Sequence, residues 1–436
     1  MAYAGGIMTN TNQSASYVRM PARSASLGID AVYYNPAGLT GLSDGFHLSL
    51  NNQVISQIRK IDNQLPLLNR NEFQGEVFAP LFPGIYAAYK TGNLTFSFGF
   101  NPVGGGGGAE YEDGLPSFAT SVAGLVPLLE PTGVSGYRNE VYFEGSSIFF
   151  GSQLGVSYEI NDVVSVSGAA RYVTASNSYE GYLRNIEVST PAGWMRPGTY
   201  LRDYVAPAQP EEVRSETLAT ADAIDNITAD AEVEAVQKGS TIIPVFGLSI
   251  KPNERLNFGI KYEFLTRLEL ENETTIDGTG MFPDGQKTRS DMPAMLSFGA
   301  AYKVTPRVNI AGGMHYYFDK TADYGKELPN KDIIDNNFVE LALGLEYSLT
   351  ESFLISAGYL RTQTGVNEDY HNDLSHSLST NSFGLGGHYI INEMVAVNLG
   401  FMRTFYLEDS KEVFPTIREI YNRDAMVFAI GLDFRF

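Results

Sequence analysis

"AMVFAIGLDFRF" (Ala425–Phe436) closes the chain, and its two faces differ in kind. Met426, Phe428, Ile430, Leu432, Phe434 and Phe436 share one face; Ala425, Val427, Ala429, Gly431, Asp433 and Arg435 share the other. A side-chain period of two is that of a β-strand. Large apolar residues on one face against small or polar residues on the other suit a strand whose outer surface meets lipid. A soluble sandwich strand also alternates. An unbroken row of large apolar residues ending the chain on Phe points to a membrane wall instead.

The same phase recurs upstream. "LTFSFGF" (94–100) sets Leu94, Phe96, Phe98 and Phe100 against Thr95, Ser97 and Gly99, and "LNFGIKYEF" (256–264) and "FVELALGLEYSL" (338–349) repeat the pattern. About fourteen such segments begin near Phe46, Phe73, Leu94, Ile148, Val163, Thr241, Leu256, Met295, Val308, Phe338, Phe353, Ser382, Val395 and Ala425, each near the ~10 residues a tilted strand needs to cross a bilayer. Tight connections (Lys90–Asn93, Glu159–Asp162, Lys251–Arg255, Val304–Arg307, Leu349–Ser352, Ile391–Met394) are rich in the residues that turns require. Long connections at 104–147 and 176–240 alternate with them. Short turns at one end and long loops at the other predict an all-β fold, a 14-stranded antiparallel transmembrane β-barrel with its short side periplasmic.

Composition agrees. The 436 residues include no Cys, one Trp, 26 Tyr, 26 Phe and 44 Gly, and only 18% are charged. A net charge of -20 excludes a nucleic-acid partner, which needs a basic footprint. The lack of cysteine excludes disulfides and thiolate metal sites. No apolar run is long enough for a transmembrane helix, whereas a barrel leaves the mean hydropathy near zero, here -0.13. "MAYAGGIMTNTNQ" (1–13) has neither a basic nor an apolar leader segment, so a signal peptide is expected to be absent from this chain.

The long loops are not plain linkers. "LPSFATSVAGLVPLLEP" (Leu115–Pro131) is apolar for a surface segment; Phe118, Leu125, Val126, Leu128 and Leu129 either cover the barrel mouth or line a ligand groove. Residues 210–239 predict a helix, with an acidic first turn and an Ala-rich body. The third strand, "LTFSFGFNPVGGGGG", stops alternating at Asn101 and Pro102 and enters Gly104 and Gly105, where ladder pairing should fail. It is no nucleotide loop, because no Gly-Lys-Ser/Thr follows. "HNDLSH" (371–376) predicts a solvated loop. No catalytic constellation, metal site or cofactor site stands out, so an enzyme is not expected.

Near the N-terminus stands "AVYYNPAGLTGL" (Ala31–Leu42), a turn-rich apolar stretch ahead of the first strand. Asn35, Pro36 and Ala37 in these surroundings, followed by about fourteen strands and a terminal Phe, resemble the FadL-type long-chain fatty-acid transporters of Gram-negative outer membranes. The resemblance covers the whole layout, although its specific match is confined to that tripeptide and its glycines. It implies an N-terminal hatch (1–44) plugging the lumen of a barrel (45–436), with Tyr33 and Tyr34 at the hatch. It further implies a kink at Phe100 to Gly105 that opens sideways into the membrane. Hydrophobic small molecules (fatty acids or hydrocarbons) would be captured in the outer groove, pass into the lumen and leave at the kink without an energy source. Outer-membrane lipid and lipopolysaccharide would surround a monomer. By strand phase, Arg171, Lys261, His315 and His388 point inward, where they either meet a carboxylate or are neutralised by Glu263, Glu340 and Glu346. The rival readings are a barrel scaffold or interaction protein of a secretion or lipopolysaccharide-modifying assembly, and a general porin, against which the apolar hatch argues.

Overall fold

The computed structural model describes residues 8–9 and 13–436. Most of the stretch 1–13, where a leader is expected to be absent, and with it the start of the 1–44 segment, therefore lies outside the described residues. Among the described residues, 14 strands form one closed antiparallel barrel. They are β1 (Gly45–Asn63), β2 (Glu72–Thr91), β3 (Leu94–Tyr111), β4 (Gly136–Glu159) and β5 (Val164–Thr190). Next come β6 (Ala231–Asn253), β7 (Leu256–Glu263), β8 (Met295–Thr305), β9 (Val308–Tyr317) and β10 (Phe338–Ser348). β11 (Phe353–Gln363), β12 (Thr380–Ile390), β13 (Val395–Tyr406) and β14 (Ile417–Arg435) complete the wall. Short strands at Gly193–Met195, Glu269–Asp277, Lys287–Arg289 and Asp409–Phe414 extend the hairpins at the long-loop end.

β14 closes the circle on β1, with Leu50 opposite Leu432 and Asn51 opposite Gly431. The Phe436 amide donates to the Phe46 carbonyl at 2.8 Å, so the last residue is sewn to the first strand. Closure removes every sheet edge, which the interior of a bilayer demands of a spanning sheet. Alternation sorts the faces: Leu154 and Leu343 are 67% and 63% exposed, while their neighbours Gln153 and Ala342 are buried. No helix is long and apolar enough to cross a membrane among the described residues.

The tight turns owe their geometry to local side-chain bonds. Asn161 Oδ1 accepts the Val163 and Val164 amides at 2.9 Å, and Asn253, Thr305, Thr350 and Asn392 cap their own turns in the same way. These are the short polar residues that offer the backbone a ready turn partner.

Eleven of the strand starts lie within two residues of those read from the sequence; β4, β6 and β14 begin earlier, at Gly136, Ala231 and Ile417. Their outer ends place Glu140, Glu144, Glu232, Glu234 and Arg418 where lipid-facing residues stand lower down, so a pattern keyed to lipid misses them. The long connections shrink accordingly. Gly104 to Gly108 belong to β3 rather than to a loop at 104–147, and the 176–240 loop is largely strand at both ends. The helix there spans Glu211–Ile227 and does not reach Gly239. Thr228 ends it, its amide and hydroxyl both returning to the Ile224 carbonyl. Beyond it "AEVEAVQ" alternates, with Val233, Ala235 and Gln237 buried.

The outer wall carries a row of like charges. Glu76, Glu110, Glu144, Glu180 and Glu234 stand directly opposite one another across β2, β3, β4, β5 and β6, all exposed.

Candidate functional site

Short helices at Ala15–Arg19 and Ala31–Tyr34 and a 3-10 turn at Pro36–Gly41 precede β1. Ser14 caps the first, its hydroxyl accepting the Tyr17 amide at 3.1 Å. Asn35 is extended, as a residue before proline prefers, and Pro36 opens the 3-10 turn where its missing N–H costs nothing. Tyr17 stacks on Tyr34 at 5.3 Å and Tyr33 meets Tyr34 edge to face at 5.2 Å, giving the segment its own aromatic core.

This segment packs against the inward face of the barrel. A methyl group built on Gly84, Gly99, Gly247, Gly259, Gly299, Gly344, Gly358, Gly384 or Gly400 would come within 3.0 Å of residues 13–35. Those glycines lie on nine different strands. They remove side chains from the wall so that the segment's backbone can approach it. Polar contacts fix its rotation: Asn35 donates to the Leu248 carbonyl at 3.0 Å, Ser157 to the Pro36 carbonyl at 2.7 Å, and Asn257 to the Ala25 carbonyl at 2.9 Å. Ala37 is fully buried in the same turn.

Three of the inward basic residues meet carboxylates. Arg171 pairs with Glu263 through two bonds at 2.7 and 3.0 Å, and Lys261 reaches the same carboxylate at 2.7 Å. The Tyr33 ring lies 4.6 Å from the Arg171 guanidinium and 4.9 Å from the Lys261 ammonium, which also donates to the Tyr33 carbonyl at 3.0 Å. His315 bonds Glu340 at 3.0 Å and Ser24 at 3.1 Å. His388 instead borders a cavity of about 360 Å³ beneath the segment, with Arg19, Arg23, Asp30, Glu346 and Asp433. Arg19, absent from the sequence-derived candidates, bonds Glu346 at 2.8 Å.

The third strand departs from its neighbour on one side only. Pairing of β2 with β3 runs from Thr91 opposite Leu94 to Ile85 opposite Phe100, stops, and resumes at Glu76 opposite Glu110. Pairing with β4 continues through the same stretch with bulges around Pro102, Gly104 and Gly107. Gly105 and Gly107 adopt positive φ (93° and 71°), which glycine reaches without strain. Asn101 folds its amide onto the Pro102 carbonyl, and Phe100 stacks on Phe150 at 5.4 Å. Pro80 and Pro83 on β2 face the same gap; neither can donate to a ladder. The sequence reading missed these prolines, although two prolines in "EVFAPLFPG" were a visible sign of an interrupted strand.

Behind the gap lies a cavity of about 170 Å³ lined by Val77, Ala79, Phe82, Leu378, Met402, Val427 and the Gly105, Gly106 and Gly107 backbone. Above it the segment at 115–131 forms helices Pro116–Ala123 and Leu125–Leu129. Leu125 and Leu129 are buried in an outer apolar cluster, Phe118 and Val126 pack against it, and Leu128 is exposed. Phe118 meets Phe143 edge to face at 5.7 Å. The expected solvated loop at 371–376 is instead packed down: His371 and His376 are buried, and His376 stacks on Tyr421 at 4.9 Å. Burial pushes the His371 imidazole below its ordinary range despite Asp409 at 3.1 Å.

Similarity to solved structures spans this whole arrangement. A Pseudomonas aeruginosa FadL homologue superposes at a TM-score of 0.66 over 100% of both chains at 12% identity. The chain has the fold of the FadL-type barrels. That fold is also found in the Pseudomonas putida toluene transporter TodX, with a TM-score of 0.60, 15% identity and 94% of each chain covered. The Ralstonia pickettii toluene transporter TbuX gives 0.60 at 16% identity, over 97% of this chain and 98% of its own. No protein-family profile matches the sequence, and no curated protein matches it.

Proposed function

We propose that the chain is an outer-membrane channel of Gram-negative bacteria for passive uptake of hydrophobic compounds, long-chain fatty acids or hydrocarbons. The segment up to residue 44 is its hatch. The interrupted β2–β3 ladder is its lateral exit, and the apolar cover formed by Phe118, Leu125, Val126, Leu128 and Leu129 is its outer entrance. The observation that carries this reading is the stretch between Phe100 and Glu110 that is unpaired toward β2, with a cavity behind it to which Val77, Ala79, Phe82, Met402 and Val427 contribute apolar wall. A wall that is hydrogen-bonded all round holds a lumen ligand in; a wall lacking one ladder offers an opening level with the membrane. Relatives of fold named as toluene transporters and as a FadL homologue fit a greasy cargo. Each CH₂ moved from water into such a lumen gains roughly 0.8 kcal/mol, enough to draw in an alkyl chain without an energy source.

The chain has no cysteine, so an introduced pair reports unambiguously. A methyl on Gly107 would lie 3.2 Å from Val77 across the gap. With Val77→Cys and Gly107→Cys together, oxidation should block uptake of a labelled hydrophobic compound and reduction should restore it. Uptake indifferent to that cross-link would remove the lateral route.

A further inference from the structure

We infer that Asn52 is a positioning residue of the lateral exit: its side-chain amide replaces a missing rung of the β1–β2 ladder and fixes the edge of β2 that borders the gap. This rests on the uptake reading above and adds to it the group that sets how wide the exit stands.

Asn52 stands in the outward row of β1 with Phe46, Leu48, Leu50 and Val54, and Ile430 lies opposite it on β14. Leu385, Leu399, Phe401 and Phe428 continue the apolar wall around it. An amide on a face set against lipid is costly unless both its ends are bonded. Both are. Asn52 Nδ2 donates to the Pro80 carbonyl at 3.1 Å, and Asn52 Oδ1 accepts the Phe82 amide at 3.0 Å. A side chain that only filled space here would be apolar like its neighbours, and an apolar side chain could make neither bond.

The backbone of β2 needs such a partner at this place. Pairing of β1 with β2 shifts between Gln53 opposite Phe82 and Ile55 opposite Ala79, so Val54 stands against both Pro80 and Leu81. A bulge of this kind breaks the ladder locally and bends the strand. On its other edge β2 has no rung to β3 between Ile85 and Glu76. Pro80 and Pro83 have no N–H to offer either neighbour. The stretch from Val77 to Gly84 therefore borders the gap with one edge free, and at its bulge the Asn52 amide carries the attachment of the other edge to the wall. From inside, Tyr86 donates to the Gln13 carbonyl at 2.8 Å, which holds the strand at the end of the gap rather than along it. Without the amide, the Phe82 N–H and the Pro80 carbonyl would face an apolar wall unpaired, and the free stretch would leave its fixed position.

The test begins with hydrogen exchange of the wild-type full chain in detergent, resolved to single amides. The Phe82 amide should be protected like those of the intact β4–β5 ladder, and exchange at the rate of a loop amide would overturn the clamp. In the chain carrying Val77→Cys and Gly107→Cys, adding Asn52→Leu should slow disulfide formation across the gap by at least about fivefold, the smaller end of the shift that two lost hydrogen bonds bring to a local equilibrium. Asn52→Gln keeps both ends of the amide and should restore part of the rate. An unchanged rate in Asn52→Leu would overturn the role and leave hydrophobic uptake standing. In liposomes, wild type should admit dodecane faster than pyrene, a slim hydrocarbon against a broad one, and Asn52→Leu should bring that ratio toward one. Loss of folded barrel lowers both rates together and does not move the ratio; a ratio unmoved by the substitution would overturn the setting of width. Entry of neither hydrocarbon into wild-type liposomes would overturn the uptake reading, and with it the part of Asn52 in an exit. Where Asn52→Leu does not fold, the wild-type exchange result decides.

Discussion

Arg171 and Lys261 share the Glu263 carboxylate, and all three side chains are buried. Replacing it with Gln keeps its shape and leaves two cations unpaired in the wall. Glu263→Gln is expected to cost about 3–5 kcal/mol, measured as loss of unfolding free energy in detergent; a loss below about 1 kcal/mol would mean that solvent reaches the trio. A second residue-scale outcome concerns Gly344, where an added side chain would strike Met20. Gly344→Val should destabilise by about 1–3 kcal/mol, the usual penalty for overpacking, and should raise leakage of small solutes through the barrel by displacing the N-terminal segment. Residues such as Arg171, Lys261 and His315 were legible in the sequence because the strand period alone says which way a side chain points. Their partners were legible only as candidates. Asn52 escaped notice because its partners are main-chain groups that a bulge in the β1–β2 register brings to it, and the register between two strands leaves no trace in the periodicity of one.

At the scale of single elements, the glutamate row across β2 to β6 sets like charges in direct opposition. Cross-strand pairs of this kind are worth about 0.2–1 kcal/mol, here unfavourable. Glu144→Gln should therefore raise the melting temperature at low ionic strength, with the gain shrinking as salt is added; a gain independent of salt would assign it to packing. The connection between β9 and β10 carries a titration. Burial, and then Lys411 nearby, hold the Lys326 ammonium down to about 7, its Nζ lying against the Tyr370 carbonyl at 2.6 Å. The folded chain releases this proton near pH 7 and the unfolded chain only near ~10.4. Between these values the unfolded state binds more protons, so this group makes stability rise with pH from about 7 to about 10 and adds no slope well below 7. Lys326→Met should flatten that part of the stability curve, and an unchanged slope would place the titration elsewhere. Element boundaries were readable where strands touch lipid and lost where they rise above it, because the signal being read was the apolar outer face. The helix beginning at Glu211 was legible from its acidic first turn, while its end was not, since Thr228 stops it with a hydroxyl bond rather than with a glycine.

For the molecule as a whole, strand number, antiparallel order and the alternation of short turns with long loops were all present in the sequence, because a barrel wall repeats one constraint fourteen times and each repetition checks the others. The interior was not, because contacts between an N-terminal segment and nine strands are set by shape, and shape is written in glycines that look alike wherever they occur. The position of that segment bears on how such a molecule can be made. Residues 13–35 precede the first strand in the chain and pack on the inward face of a ring that the last strand completes, with Ala15 beside Gly431. A finished cylinder could not be filled afterwards by threading this end through it without parting the seam, so occupancy of the interior should come before closure. The order is open to measurement: a chain lacking residues 1–42 should reach the compact, heat-modifiable form on a gel sooner than the full chain after dilution from denaturant into detergent, and a slower approach would show the segment to be a template for the wall rather than an obstacle to its closing.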